Sequence, residues 1–274
     1  MRRFRFPCIF DMWPRQSFVR LGELGNVATA WHMIGIVHEQ AGQPEAAEDA
    51  YRKSLAINVH LGDVAGQATT LNQLGNLYDE HLGRTEEAAA FLRQAADKHV
   101  EICDAAGEGR ARNNLAICLR KLRRLDQARQ EIRRAIERDQ QFGHASQPWK
   151  SWAILAGIET DDGNTAAAAQ AKHKALECYL AYRRDGGENH LGSGRLVFGM
   201  TERLHAGGGG PAAAASFLQR LAADHANAPI RTFIHALQTI LAGIRDRNLA
   251  TAPDLDYAMA AEIILLIETL EKPG

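Results

Sequence analysis

Side chains able to do chemistry are scattered along this 274-residue chain, and their spacing argues against most reactions. The eleven histidines stand singly. His32 and His38, six residues apart, would leave a helix on different faces, whereas metal ligands need neighbours on one face. The paired carboxylates Glu86-Glu87 and Asp161-Asp162 fall where a helix starts or a turn forms, and the helix dipole accounts for the first pair without acid–base work. The chain carries no Gly-x-x-x-x-Gly-Lys-Ser/Thr loop, no His-Glu-x-x-His and no Gly-x-Ser-x-Gly turn. Gly192-Ser193-Gly194 and the glycines 207–210 follow no strand and lead into no Lys-Ser/Thr, so they read as turns. No catalytic residue, metal site or cofactor is expected. Among the side chains that can hydrogen-bond without reacting are the amides, Asn72, Asn76, Asn113 and Asn114 among them. An Asn side chain offers both a donor and an acceptor, so it can pair with the N–H and C=O of one peptide unit and hold an extended chain without reading its sequence.

The elements that position these amides announce themselves by a period. Gly35, Gly75, Ala116 and Ala156 are separated by 40, 41 and 40 residues, and Ala47, Ala88, Ala128 and Ala168 by 41, 40 and 40. The gap between the two series stays at 12 or 13. A small residue on each of two consecutive helical segments lets their backbones approach where they cross, so the unit is a helix pair. Within each copy, small and apolar residues recur at three and four, as in Ala88, Leu92, Ala95 and Ala96.

The copies resemble the tetratricopeptide repeat, with a bulky residue, then Leu-Gly and an aromatic on the first helix and Ala, an aromatic and Ala on the second. Leu74-Gly75-Asn76-Leu77-Tyr78 followed by Ala88 shows the pattern best, and the resemblance spans about residues 21 to 188. The family's usual unit is about 34 residues and closes with proline. Here the period is longer and no proline follows Leu55, Ala96, Ile136 or Leu176, so the second helix is expected to run on through segments such as 56–63. That form is similar to the lengthened subclass of kinesin light chains and bacterial signalling proteins. The fourth copy departs furthest, with Glu159 and Lys172 where the family places large apolar groups.

The resemblance implies an all-α, right-handed α-α superhelix whose first helices line a concave groove. Offsets from the small packing residue assign that groove: Thr29, His32, Ile36 and Glu39 in the first copy, and Thr69, Asn72, Gln73, Asn76, Asp79 and Glu80 in the second. The third supplies Arg110, Asn113, Asn114, Ile117, Arg120 and Lys121, and the fourth Lys150, Ala153, Ile154, Gly157 and Thr160. In peptide-binding relatives asparagines at such offsets hold ligand backbone. The family's carboxylate-clamp version is not expected, because Asn72 and Ile154 replace its Lys and Arg. Charge divides along the series, acidic through Glu39, Asp79 and Glu80, basic through Arg110, Arg120, Lys121 and Lys150.

Outside the groove, Arg123, Arg124, Arg129, Arg133, Arg134 and Arg138 form a basic band. No aromatics interleave for base stacking, and Asp126, Glu131 and Glu137 lie at helical spacing that can pair with the arginines, so the band reads as a salt-bridged face. A formal net charge of −1 agrees, giving no general attraction for polyanions.

With 46% hydrophobic residues the chain can bury a core, and a repeat array shares one continuous core. Cys8, Cys103, Cys118 and Cys178 are far apart, form no CxxC pair and fall mostly on helical segments as small apolar fillers, which suits a reducing cytoplasm. Residues 1–11 are too short and interrupted in their apolar run for a signal peptide, and Ile263–Ile267 is too short to span a bilayer. Residues 18–26 overlay 58–66, so the array is expected to begin mid-repeat after an irregular segment, 1–20, as in a fragment or altered version of a longer protein. After four repeats over 21–188, two degenerate hairpins over 189–274 are expected to cap the stack, with helices near 194–206, 211–224, 229–244 and 255–271. The last of these is apolar nearly all round, so it is either wedged into the end of the stack or used for self-association.

The expected function is a non-catalytic module that captures a protein or peptide segment in the groove. Two alternatives belong to other classes: a sensor arm of a larger signalling protein, such as a nucleotide-switch ATPase or a caspase-like protease, and nucleic-acid binding.

Overall fold

The computed structural model describes residues 23–140, 142–189, 191–205, 210–224 and 227–271. Among these, every regular element is helical: twelve α-helices and two short 3-10 turns. The chain divides into two compact units, one ending at Ser146 and the other beginning at Gln147. The irregular segment expected over 1–20 and the residues around Cys8 lie outside the described residues.

The first unit holds three helix pairs: α1 (Leu24–Gln40) with α2 (Pro44–Leu61), α3 (Val64–Glu80) with α4 (Thr85–Glu101), and α5 (Ala105–Lys121) with α6 (Leu125–Asp139). Helix starts are set by acidic residues one repeat apart. The Asp63 carboxylate accepts the Gly66 N–H at 3.0 Å and Asp104 accepts that of Gly107 at 2.9 Å, satisfying donors that a first turn leaves free. The turns inside the first two pairs pass through Gly42 and Gly83 at φ +68° and +65°. In the third pair Arg123 takes the same conformation, φ +60°, and between pairs Cys103 at φ +56° stands where Gly62 stands one repeat earlier. An L-residue pays roughly 1–2 kcal/mol for this backbone. Cys103 is therefore an exposed turn residue, while Cys118 on α5 is the buried helical filler expected of most of the cysteines.

The second helices do run on: α2 continues to Leu61 before Gly62 ends it. The small residues of the ruler sit at the crossings. Ala47, Ala88 and Ala128 are wholly buried, and a methyl added at Gly35 would fall into the Tyr51 ring. One added at Gly75 would lie 2.5 Å from Leu92 Cγ. What presses on each glycine is thus the bulky side chain one turn beyond the partner alanine. Tyr51, Leu92 and, at the same offset in the third pair, Ile132 are each fully buried, worth about 1.5–3 kcal/mol apiece in removed apolar surface.

The second unit contains α7 (Pro148–Asp161), α8 (Thr165–Arg184), α9 (Gly192–His205), α10 (Gly210–Asp224), α11 (Ala228–Leu241) and α12 (Tyr257–Glu271). The pair α7–α8 is the fourth copy, its second helix capped by Asn164, which accepts the Ala167 N–H at 3.3 Å. At the offset held by Tyr51 and Leu92, Lys172 is exposed and reaches the Pro253 carbonyl at 3.2 Å. The aromatic packing moves instead to the end of α8, where Trp149, Tyr179, Tyr182 and Tyr257 cluster with ring centroids 4.8–5.3 Å apart along Tyr182–Trp149–Tyr179–Tyr257. Burial pushes the Tyr257 hydroxyl up to about 12. A second core gathers Met200, Leu218, Phe233, Leu237, Ile263 and Ile267. Of the two outcomes open to the last helix, the structure has the wedged one. Ala258, Ala261, Ile263, Leu266 and Ile267 of α12 are buried, and Arg183 and Arg184 of α8 pair with Glu262 and Glu268. The helix therefore turns back on α8 instead of closing a simple hairpin with α11. No helix among the described residues is long and apolar enough to cross a membrane.

Candidate functional site

The amides meet on the first helices of the first unit. Asn72 and Asn76 lie one turn apart on α3, and Asn113 and Asn114 lie on α5, all half-buried. Asn114 Nδ2 donates to Asn76 Oδ1 at 2.8 Å, and Asn76 Nδ2 points to Gln73 Oε1 at 3.5 Å. An amide chain thus links neighbouring repeats, Asn114 reaching one turn past its own repeat-equivalent, Gln73. Asn72 differs from the others: its Oδ1 is buried with no hydrogen-bond partner. A buried carbonyl left unpaired costs about 1–3 kcal/mol, and its inward aim leaves Asn72 only its Nδ2 donors for a ligand. Asn113 has a partner elsewhere in the chain.

The charged candidates are placed unevenly. Lys121 donates to Asp79 at 2.7 Å, so an acidic member of the second copy and a basic member of the third neutralise one another. Asp79 also accepts the Thr85 hydroxyl at 3.2 Å, and its charge adds to the burial that pushes the Cys118 thiol up to about 12. Arg110 is exposed, Arg120 has a partner within the chain, and Lys150 is exposed at the start of α7 in the second unit. Glu39 is likewise engaged, accepting the Tyr51 hydroxyl at 2.6 Å. The sequence-expected gradient from acidic to basic is therefore softened at the Asp79–Lys121 boundary.

Two members of the offset series, His32 and Glu39, gather Thr70, Tyr51 and His81, which lie outside it. His32 Nδ1 lies 3.4 Å from Thr70 Oγ1, its ring stands 5.4 Å from Tyr51, and His81 Nε2 is 3.7 Å from Glu39. Burial lowers the His32 pKa, with the Glu39 carboxylate opposing. The sequence signal was present for Thr70, one repeat before the buried Ala111, but a threonine at an apolar offset reads as filler.

The arginine band is a salt-bridged face. Arg112, nearly buried, pairs with Glu108 at 2.8 Å and with Glu131, while Arg138 reaches Glu108 at 2.9 Å. Arg124 crosses to Glu86 at 2.8 Å and Arg129 holds Asp126 at 2.7 Å. Among the described residues no group of three His, Cys, Asp or Glu could hold a metal ion.

Helix pairs repeating every 40 or 41 residues, with polar side chains gathered on the first helix of each, define an all-α superhelical repeat protein. The family model described as tetratricopeptide repeat matches residues 26–99 and 66–141, so this stretch of the chain is built of tetratricopeptide-like repeats. Two solved structures share the fold. BtubC (BKLC) from P. vanneervenii is 19% identical with a TM-score of 0.53, over 95% of this chain and 88% of that one. The apo form of RapI is 17% identical with a TM-score of 0.56, over 95% and 90%. No curated protein matches the chain in sequence.

Proposed function

We propose that the first unit binds an extended or helical segment of a protein partner along α1, α3 and α5. Asn72, Asn76, Asn113 and Asn114 hold its backbone, and Arg110 and Arg120, with Lys121 where a ligand carboxylate displaces Asp79, choose among ligands by charge. The observation that carries this reading is the Asn114–Asn76 hydrogen bond across repeats. It fixes two amides side by side on adjacent helices and leaves the Asn114 carbonyl oxygen without a partner among the described residues. A ligand peptide N–H can take that acceptor, and a charge-neutral amide row favours backbone over any one side chain. We place the activity in the cytoplasm, where the exposed Cys103 thiol stays reduced.

The test is a peptide selected from a displayed random library and measured by fluorescence anisotropy. The triple variant Asn72→Ala, Asn113→Ala, Asn114→Ala weakens it by about tenfold or more, and so does N-methylation of the contacting peptide bonds, since each lost hydrogen bond is worth about 0.5–1.5 kcal/mol. Equal affinity for the variant and for the N-methylated peptide sinks the reading.

A further inference from the structure

A second recessed site lies in the second unit, sharing no residue with α1, α3 or α5. A cavity of about 530 Å³ opens between the turn Gly187-Glu188-Asn189, the early turns of α9 and Glu262 of α12. That size falls within the usual span for small-molecule sites, about 300–1,000 Å³. Its floor is a carboxyl group taken out of water and paired with an arginine. The Glu262 side chain is 5% exposed, and its Oε1 accepts from Arg183 and, at 2.8 Å, from Asn189 Nδ2. Arg183 is in turn committed to the turn itself, donating from Nε to the Gly187 carbonyl at 2.9 Å. Both donors thus serve one carboxylate oxygen. Glu262 Oε2 has no partner among the described residues, although a buried carboxylate is stable only when its remaining lone pairs are also met.

The rim carries the opposite charge and an apolar platform. Arg195 is exposed on α9 with no ion pair among the described residues. Phe198 follows three residues later, hence on the same side of the helix, and is 64% exposed. Val197 lines the cavity beside it. A simple anion in this space would meet Glu262 and Glu188, and a simple cation would meet Arg183 and Arg195. A neutral apolar molecule would cover Phe198 but leave Glu262 Oε2 and the Arg195 guanidinium without partners. A ligand with both charges and an apolar group answers all three.

We propose that this cavity binds a small zwitterion with an apolar side chain, a free α-amino acid or a dipeptide. Its ammonium group donates to Glu262 Oε2, its carboxylate pairs with the Arg195 guanidinium, and its side chain covers Phe198 and Val197. Bidentate arginine–carboxylate pairing gives the site its preference for a free carboxylate.

Titration calorimetry of the full chain tests this with L-phenylalanine, L-leucine and the dipeptide Phe-Phe, against phenylalaninamide and N-acetylphenylalanine. The zwitterions bind, and each blocked compound binds at least about tenfold more weakly than its parent, the loss expected for one charge-assisted hydrogen bond. The ratio of amino acid to dipeptide affinity tells which of the two the cavity takes. Arg195→Gln abolishes discrimination between phenylalanine and its amide, and Phe198→Ser weakens both. Both side chains are exposed, so unchanged circular dichroism melts will show that these variants fold. Absence of binding by every zwitterion at millimolar concentration overturns the proposal. So does equal binding of the blocked compounds, or an unchanged affinity in Arg195→Gln.

Discussion

In the first unit the polar contacts between pairs span about one repeat: Tyr78 to Glu48 is 30 residues, Asn114 to Asn76 and Arg124 to Glu86 are 38, and Lys121 to Asp79 is 42. In the second unit the contacts that fix α12 and the segment leading into it span about two: Arg183 to Glu262 is 79, Lys172 to Pro253 is 81, and Arg184 to Glu268 is 84. Each pair in the first unit therefore meets neighbours like its own, and its stability is close to a sum of repeat and nearest-neighbour terms. The second unit closes long loops before its core forms, so its helices depend on one another as a set.

The largest effect that separates the two regimes comes from emptying a core position in each. Phe233 is fully buried in the α9–α12 core, and Phe233→Ala is expected to cost about 3–5 kcal/mol; Leu92→Ala, in the first unit, is expected to cost about 2–5. The spread of the damage is the sharper readout. Amide exchange should rise across α9 to α12 together in the first variant, but in the second it should peak on α3 and α4 and fall off within one repeat. A uniform rise from α1 to α6 in Leu92→Ala would break the comparison.

Glycines give a smaller and two-signed effect. Gly75→Ala sets a methyl 2.5 Å from Leu92 Cγ and should destabilise by about 1–3 kcal/mol, partly relieved by Leu92→Val in the same chain. Gly109→Ala, two residues past the crowded Gly107 on α5, meets only Asp139 Oδ1 at 3.6 Å and should stabilise by about 0.5–1 kcal/mol through helix propensity. Urea melts of the three variants check the signs. Two losses would mean that the first unit tolerates no methyl on its first helices, crowded or not.

This difference in contact range also explains what could be read from the sequence. The ruler of Gly35, Gly75, Ala116 and Ala156 was legible because Tyr51 and Leu92 press on its glycines in the same way, once per repeat. The capping acids Asp63 and Asp104 repeat for the same reason. Where α8 answers to α12, the trace vanishes: Lys172 abandons the apolar offset, and the aromatic cluster assembles from Trp149, Tyr179, Tyr182 and Tyr257 with no period at all. At the candidate site, offsets placed the asparagines on their helices but not their partners. Whether Asn114 faces a ligand or Asn76 depends on side-chain geometry between adjacent helices, and no single-helix pattern encodes it. The same holds for Lys121 and Asp79. Charges on different repeats were read as a gradient, yet they lie within hydrogen-bonding reach.

The smallest expected effect probes the polar cluster that half-burial imposes on the first unit. His32 is packed against Tyr51 and Thr70, and burial holds its pKa below the ordinary 6.5 despite the Glu39 carboxylate. Between the unfolded value and the lower folded one, the unfolded chain binds the proton and the folded chain does not. Stability therefore rises with pH through that window and is lost as pH falls through about 6.5, levelling off below the folded value. Carboxylates with lowered pKa, Glu48 and Asp104, contribute fully above their ordinary values of 4.5 and 3.8 and lose that contribution only at lower pH. The two effects are thus separated in pH. Thermal melts at about pH 7.5 and 5.5 should show a drop in Tm for the wild type that is smaller in His32→Gln, because glutamine keeps a polar group near Thr70 but takes up no proton. Equal drops in both proteins would assign the acid sensitivity to other groups and leave the His32 cluster as packing alone.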